Sequence, residues 1–197
     1  MIAVVDSGGA NIASVMFALE RLGVKARLTS DAGAIQSAER VILPGVGTAK
    51  VAMRQLQELE LVDCVRSLTQ PILGICLGMQ LLFSGSEEGD VDMLDIIAGT
   101  VTHFTPEAEK TIPHMGWNSV SMKADHPLLR DVPNDSYFYF VHSYYAPQGN
   151  FTIGACDYGD AFSAIVAKDN FMGCQFHPER SGKAGAQILK NFVELEL

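Results

Sequence analysis

No apolar run in this sequence approaches the ~20 residues a membrane-spanning helix needs. No basic stretch precedes Met1-Ile2-Ala3-Val4-Val5-Asp6, so a signal peptide is not expected either. Lys and Arg number 14 against 23 Asp and Glu, and the net charge of −9 leaves no cationic block. That argues against nucleic acid and anionic membrane as partners. Cysteine is sparse: Cys64, Cys76, Cys156 and Cys174 lie far apart with no C-x-x-C spacing. They read as reduced thiols of a cytoplasmic protein, not as disulfides or a zinc site. What the chain does have is apolar mass. Hydrophobic residues make up 48% and mean hydropathy is +0.16, so its 197 residues suit one well-buried domain, 1–197.

Strand and helix alternate in the first half. Ile2 to Asp6 reads as a strand, Asn11 as the N-cap of a helix carrying Val15, Leu19 and Leu22, and Gly23 as its C-terminal stop. Strands follow at Val24 to Leu28 and Arg40 to Leu43, then one helix from Lys50 to about Leu68, then a strand ending Pro71-Ile72-Leu73. Such alternation predicts an α/β fold: an open, mostly parallel sheet with helices on both faces. Ser84 to Val91 is polar and glycine-rich, which predicts a surface loop. Beyond it Ile97–Phe104, Ser136–Val141, Phe151–Tyr158, Phe162–Ala167 and Phe171–Phe176 read as strands with little helix between. A smaller, mostly antiparallel extension is therefore expected, closed by a helix from Ala184 to about Leu195.

Chemistry gathers at strand ends, where open α/β sheets place their sites. Gly74-Ile75-Cys76-Leu77-Gly78 falls between the strand ending at Leu73 and a helical stretch from Leu77 to Phe83. G-x-Cys-x-G in that setting is the thiol form of a nucleophile elbow, and the macrodipole of the following helix would favour thiolate. A plain buried thiol is the bland alternative. His177 ends a strand and precedes Pro178-Glu179. Proline biases His177 towards an extended backbone, so Glu179, two residues on, points the same way and can orient its ring. Alone this would be a surface turn; beside an elbow cysteine it is a base with its orienter. No second histidine or cysteine lies at ligand spacing, so no metal is expected. In Pro44-Gly45-Val46-Gly47 two glycines leave backbone N–H groups able to approach a reacting carbonyl, though an ordinary Pro-Gly turn fits equally. The Gly8-Gly9 turn lacks the third glycine and following acid of a dinucleotide loop, and no cofactor is expected. His103 and His126 sit in polar, loop-like stretches and read as exposed.

Three of these stretches together resemble the motifs of the class I (triad-type) glutamine amidotransferases. They are Pro44-Gly45-Val46-Gly47, Gly74-Ile75-Cys76-Leu77-Gly78-Met79-Gln80 and Phe176-His177-Pro178-Glu179-Arg180-Ser181. Pro113-His114-Met115-Gly116-Trp117-Asn118 and Val141-His142-Ser143-Tyr144 narrow the likeness to members serving histidine biosynthesis. Met79 stands where many relatives in other pathways carry histidine. The first loop, Asp6-Ser7-Gly8-Gly9-Ala10-Asn11, departs from the usual Asp-Tyr-Gly-x-Gly-Asn.

The resemblance implies a flavodoxin-like fold and hydrolysis of L-glutamine through a thioester on Cys76, with His177 and Glu179 completing the triad. It also implies an oxyanion hole from the N–H of Leu77 and the loop of Val46 and Gly47. Gly47, Gln80, Ser143 and Tyr144 would hold the substrate's α-amino and α-carboxylate groups. Ammonia would pass to a separate TIM-barrel cyclase, the HisF subunit of a heterodimer, for synthesis of imidazole glycerol phosphate and an aminoimidazole ribonucleotide. Asn11, Met115, Trp117, Tyr139 and Arg180 are the candidate contacts with it. On the strand Tyr137 to His142, tyrosines are expected to face out and phenylalanines in; Trp117 fits interface and core equally. Two alternatives stay open, an anthranilate-type amidotransferase subunit and a non-catalytic cysteine sensor of the same architecture.

Overall fold

The structure, a computed structural model, describes residues 1–6, 12–45, 47–106 and 110–196. In chain order its elements are β1 (Ile2–Val5), α1 (Ile12–Arg21), β2 (Ala26–Thr29), α2 (Ala32–Gln36), β3 (Arg40–Gly45), α3 (Ala49–Glu58) and α4 (Val62–Arg66). Next come β4 (Ile72–Cys76), α5 (Leu77–Gln80), β5 (Phe83–Ser86), β6 (Val91–Asp92), β7 (Ile97–His103) and β8 (His114–Met122). The chain closes with β9 (Ser136–His142), β10 (Tyr144–Tyr145), β11 (Thr152–Tyr158), β12 (Asp160–Lys168), β13 (Phe171–Cys174) and α6 (Gly182–Glu194).

Among the described residues the main sheet runs β2-β1-β3-β4-β13-β12-β11-β8-β9. Its first five strands pair parallel and the remaining pairings are antiparallel. The antiparallel extension is thus not a separate layer; it continues the parallel sheet sideways, and β13 is the seam. A smaller sheet, β10-β7-β5-β6, lies apart.

Alternation along the parallel strands assigns the two faces. Ile2, Val4, Ile42, Leu73 and Ile75 pack with α1 and α6, while Ala3, Val5, Val41, Leu43 and Ile72 pack with α2, α3 and α4. Both faces being buried explains why these strands read as near-continuous apolar runs.

Several expected elements differ. The helix expected from Lys50 to Leu68 is two, broken at Leu59–Leu61, where Glu60 takes a positive φ of 56°. Asp31 caps the short α2, accepting from the Ala34 N–H at 2.7 Å, a helix the sequence pattern hid. Ser84 to Val91 is not a plain loop: β5 and β6 pair antiparallel around its acidic turn. The Pro113–Trp117 motif opens β8, whose register sets Trp117 opposite Tyr139 and His114 opposite His142. His126 is half-buried, its Nδ1 accepting the Leu128 N–H at 3.1 Å. The N-cap expectation at Asn11 lies outside the described residues.

Candidate active site

β4 delivers Cys76 to the carboxyl edge of the sheet with φ 54° and ψ −114°, a left-handed conformation no ordinary strand–helix junction needs. The bend closes because three glycines let backbone touch backbone. A methyl group on Gly78 would fall on the Leu43 carbonyl, and one on Gly45 on the Gly78 amide. Leu77 opens α5, and its amide is the first of a helix, where no intrahelical acceptor precedes it. α5 has four residues, shorter than the stretch from Leu77 to Phe83 suggests. One turn supplies little macrodipole, so stabilising a thiolate falls to side chains.

β13 supplies them. His177 follows its end, and the ring's Nδ1 lies 2.9 Å from Glu179 Oε1. The His177 and Glu179 side chains are 9% and 1% exposed. Burial opposes a charge on His177, but the hydrogen bonds its ring gives to Cys76 and Glu179 outweigh it and raise the ring to about 10. The ring is therefore an imidazolium at neutral pH, ready to give a proton. Burial pushes the thiols of Cys64 and Cys174 up and that of Cys156 to about 12, so these stay protonated and inert.

Cys76, Leu77, Gln80 and Gly47 line a cavity of about 260 Å³ with Val141, His142, Ser143 and Tyr144. Six residues predicted from different parts of the chain thus meet in one wall: Gly47, Cys76, Leu77, Gln80, Ser143 and Tyr144. His177 is not part of that lining. Val46 lies outside the described residues. Gln80 is 5% exposed, not solvent-facing; its Nε2 donates to the Tyr144 carbonyl at 2.8 Å and to Gln175 Oε1 at 2.9 Å.

Three participants escape the sequence. Glu88 lines the cavity, and its Oε2 accepts the Ala49 N–H at 2.7 Å; an acidic turn reads as solvated surface until β5 and β6 fold it inwards. Gln175, wholly buried, is the lone polar side chain in Phe171-Met172-Gly173-Cys174-Gln175-Phe176, and that isolation was the available signal. The third is a histidine pair. His142 Nδ1 meets the Tyr144 carbonyl at 2.8 Å, and since a carbonyl only accepts, Nδ1 carries the proton. Nε2 of His142 then accepts from His114 Nδ1, 3.0 Å away. Burial holds His114 down at about 4 and His142 at about 3, so both rings are neutral with defined tautomers.

Outside, Met115 and Trp117 are 64% and 55% exposed, Tyr137 faces solvent, and Phe138 and Phe140 are buried. Arg180 lies over the Tyr139 ring at 5.6 Å, and Trp117 meets that ring edge-on at 6.1 Å. Four of the five candidate contacts form this patch; Asn11 lies outside the described residues. The Tyr139 backbone reaches inwards too, its carbonyl accepting the His177 N–H at 2.9 Å and its N–H donating to Ser181 Oγ at 2.9 Å.

A thiol on a strained bend, near a histidine bonded to a buried carboxylate, is an arrangement able to carry acyl transfer through a covalent thioester. Consistent with that chemistry, the chain belongs to the class I glutamine amidotransferase family, which matches it over residues 3–195.

Within the family it is 53% identical over 193 residues to the imidazole glycerol phosphate synthase subunit HisH of Pasteurella multocida, covering 98% of this chain and 97% of that one. The subunit of the same name from Idiomarina loihiensis is 51% identical over 196 residues, covering 100% and 98%. Among solved structures, PurLQS from Thermotoga maritima superposes with a TM-score of 0.72 at 17% identity, covering 98% of this chain and 97% of the other. A further glutamine amidotransferase superposes at 0.75, also at 17% identity, covering 98% and 97%. These two carry the fold alone.

Proposed function

We propose that the chain hydrolyses L-glutamine at Cys76 and hands the ammonia to a TIM-barrel cyclase subunit, HisF, in the synthesis of imidazole glycerol phosphate. The single observation carrying the reading is the strained bend that sets Cys76 in the wall of an amino-acid-sized cavity, with the bonded pair His177–Glu179 close by. Identity above 50% to chains named as HisH subunits favours it over an anthranilate-type pathway.

The thiolate of Cys76 attacks the side-chain carboxamide carbon of glutamine, and the carbonyl electrons move to oxygen. The Leu77 N–H, next after the nucleophile, is the first donor to that oxyanion, with the loop of Val46 and Gly47 as the second. Collapse of the adduct expels nitrogen as ammonia, which takes its proton from the His177 imidazolium and leaves a thioester. Water then attacks the thioester while His177, now neutral, accepts its proton; glutamate departs and the thiolate returns. Glu179 keeps the ring oriented throughout and stabilises its charge.

Glutamine carries both charges at its α-carbon, and the wall offers something for each. The Glu88 carboxylate suits the ammonium; Gly47, Ser143 and Tyr144 suit the carboxylate. Water would protonate free ammonia at neutral pH, so the acceptor enzyme must dock directly. The patch of Met115, Trp117, Tyr139 and Arg180 is the surface we assign to it, rich in the aromatic and Arg types that anchor interfaces.

The test is reconstitution with the cyclase. Cys76→Ala should abolish synthesis from glutamine while leaving synthesis from added ammonium salts unchanged. Retained glutamine-dependent turnover would clear Cys76 of its role; co-elution of the variant with the cyclase separates a chemical defect from a failure to fold or dock.

A further inference from the structure

The chemistry above uses one donor to the catalytic sulfur, the imidazolium of His177. That donor gives its proton away midway through the reaction. His177 regains a proton only as water attacks the thioester, so its charge beside the sulfur comes and goes through the cycle. A donor that keeps its proton would act on the sulfur at every stage.

The wall of the site holds such a group. Gln175 Nε2 lies 3.8 Å from Cys76 Sγ, within reach for a sulfur acceptor. Its orientation follows from its neighbours. The Tyr144 carbonyl can only accept, so Gln80 must present its NH₂ there, at 2.8 Å. The second hydrogen of that NH₂ meets Gln175 Oε1 at 2.9 Å. Gln175 has then committed its oxygen, and its own NH₂ has to face the sulfur. Flipping it would set two NH₂ groups against each other at Gln80 and an amide oxygen against a thiolate. Both costs fall inside a buried site, for Gln175 is 0% exposed.

We propose that Gln175 is a second, proton-conserving donor to the catalytic sulfur, held in place by Gln80. One run of amide hydrogen bonds thereby joins the substrate wall at Tyr144 to the nucleophile. The inference rests on Cys76 being the nucleophile. A neutral amide donates to the thiolate without losing a proton, so it serves attack and thioester cleavage alike. The opposite partner is present as well: the Val141 carbonyl, 3.9 Å from the sulfur, accepts an S–H whenever the sulfur is protonated. Other groups acting electrostatically around this point are His177, Glu179 and Cys174 on the segment from β13, and His142 at the end of β9.

The test measures thiolate content directly. The rate of iodoacetamide alkylation at Cys76, located by peptide mass, is followed against pH in the full-length chain. Gln175→Met keeps the volume and removes the donor; it should raise the alkylation midpoint by about one pH unit, as expected for one lost hydrogen bond to a charged group. Gln175→Glu, which sets a carboxylate beside the sulfur, should raise it further. In turnover assays the loss should fall on kcat, with KM for glutamine little changed. A folded Gln175→Met protein whose midpoint matches wild type overturns the inference. Should that variant fail to fold, the wild-type chain still decides: the Gln175 side-chain ¹⁵N signal should shift at the pH where Cys76 titrates, and an amide blind to that pH overturns it. Failure of the underlying reading looks different. There, Cys76→Ser would keep hydrolysing glutamine, or the adduct would form on another cysteine.

Discussion

The two ends of the main sheet do opposite work. On the parallel side, β3, β4 and α5 bring main chains into direct contact, and the Cys76 sulfur sits where Gly45, Gly74 and Gly78 permit no side-chain carbon. On the antiparallel side, β8, β9, β11 and β12 are filled by rings: Phe104, Phe140, Tyr158 and Phe162 surround the neutral His114 and His142. One end builds reactivity from backbone geometry. The other builds a shaped wall and an outer face from side chains. β13, paired with β4 on one edge and β12 on the other, leads into His177 between them. The lesson is that the two ends are built by different means and meet only at β13.

The seam should therefore be the most sensitive place to strike. His177→Asn should lower kcat by about 10³-fold, whereas Glu179→Gln, which removes only orientation and charge balance, should cost about 10- to 100-fold. Steady-state glutaminase assays in the presence of the cyclase decide it, and equal losses would mean the roles are misassigned. Next in size is the backbone end. Gly78→Ala forces a methyl against the Leu43 carbonyl and should cost about 3 kcal/mol or more, read as a lower urea midpoint. A near-neutral result would show that the elbow can open.

The smallest effect belongs to the ring-filled end, and it depends on pH. His114 and His142 are neutral when folded, with pKa values of about 4 and 3, while the unfolded chain takes up those protons near 6.5. Stability contributed by the neutral pair is thus complete above about pH 6.5 and is lost as pH falls towards 4 and 3. At pH 5 each ring should cost on the order of 2 kcal/mol. His114→Phe keeps the stacking on Phe140 and Tyr158 and removes one titration. Between pH 7.5 and 5, wild type should lose about 2 kcal/mol more than this variant; parallel losses would show that the ring titrates normally.

The two ends also differed in how far they could be read beforehand. On the parallel side glycine, proline and the elbow cysteine punctuate the chain, so the strand ends at Gly45 and Cys76 and the His177-Pro178-Glu179 turn were legible from local chemistry. β8 was not, because Gly116 interrupts its alternation and Met115 and Trp117 point outwards as apolar residues. Glu88 and Gln175 were illegible for another reason. What each touches depends on which strand lies alongside, and nothing within a few residues of either states that. The split between α3 and α4 hid because apolar spacing continues across Leu59 to Leu61 even where the backbone turns.

Tyr139 deserves a last consequence. Its ring belongs to the molecule's exterior, under Arg180 and against Trp117, while its peptide oxygen holds the backbone of His177. Whatever presses on that ring is separated from the proton donor by the width of a single amino acid. The outer face and the imidazole therefore share one support: to displace the Tyr139 peptide is to displace the backbone on which the His177 ring is hung.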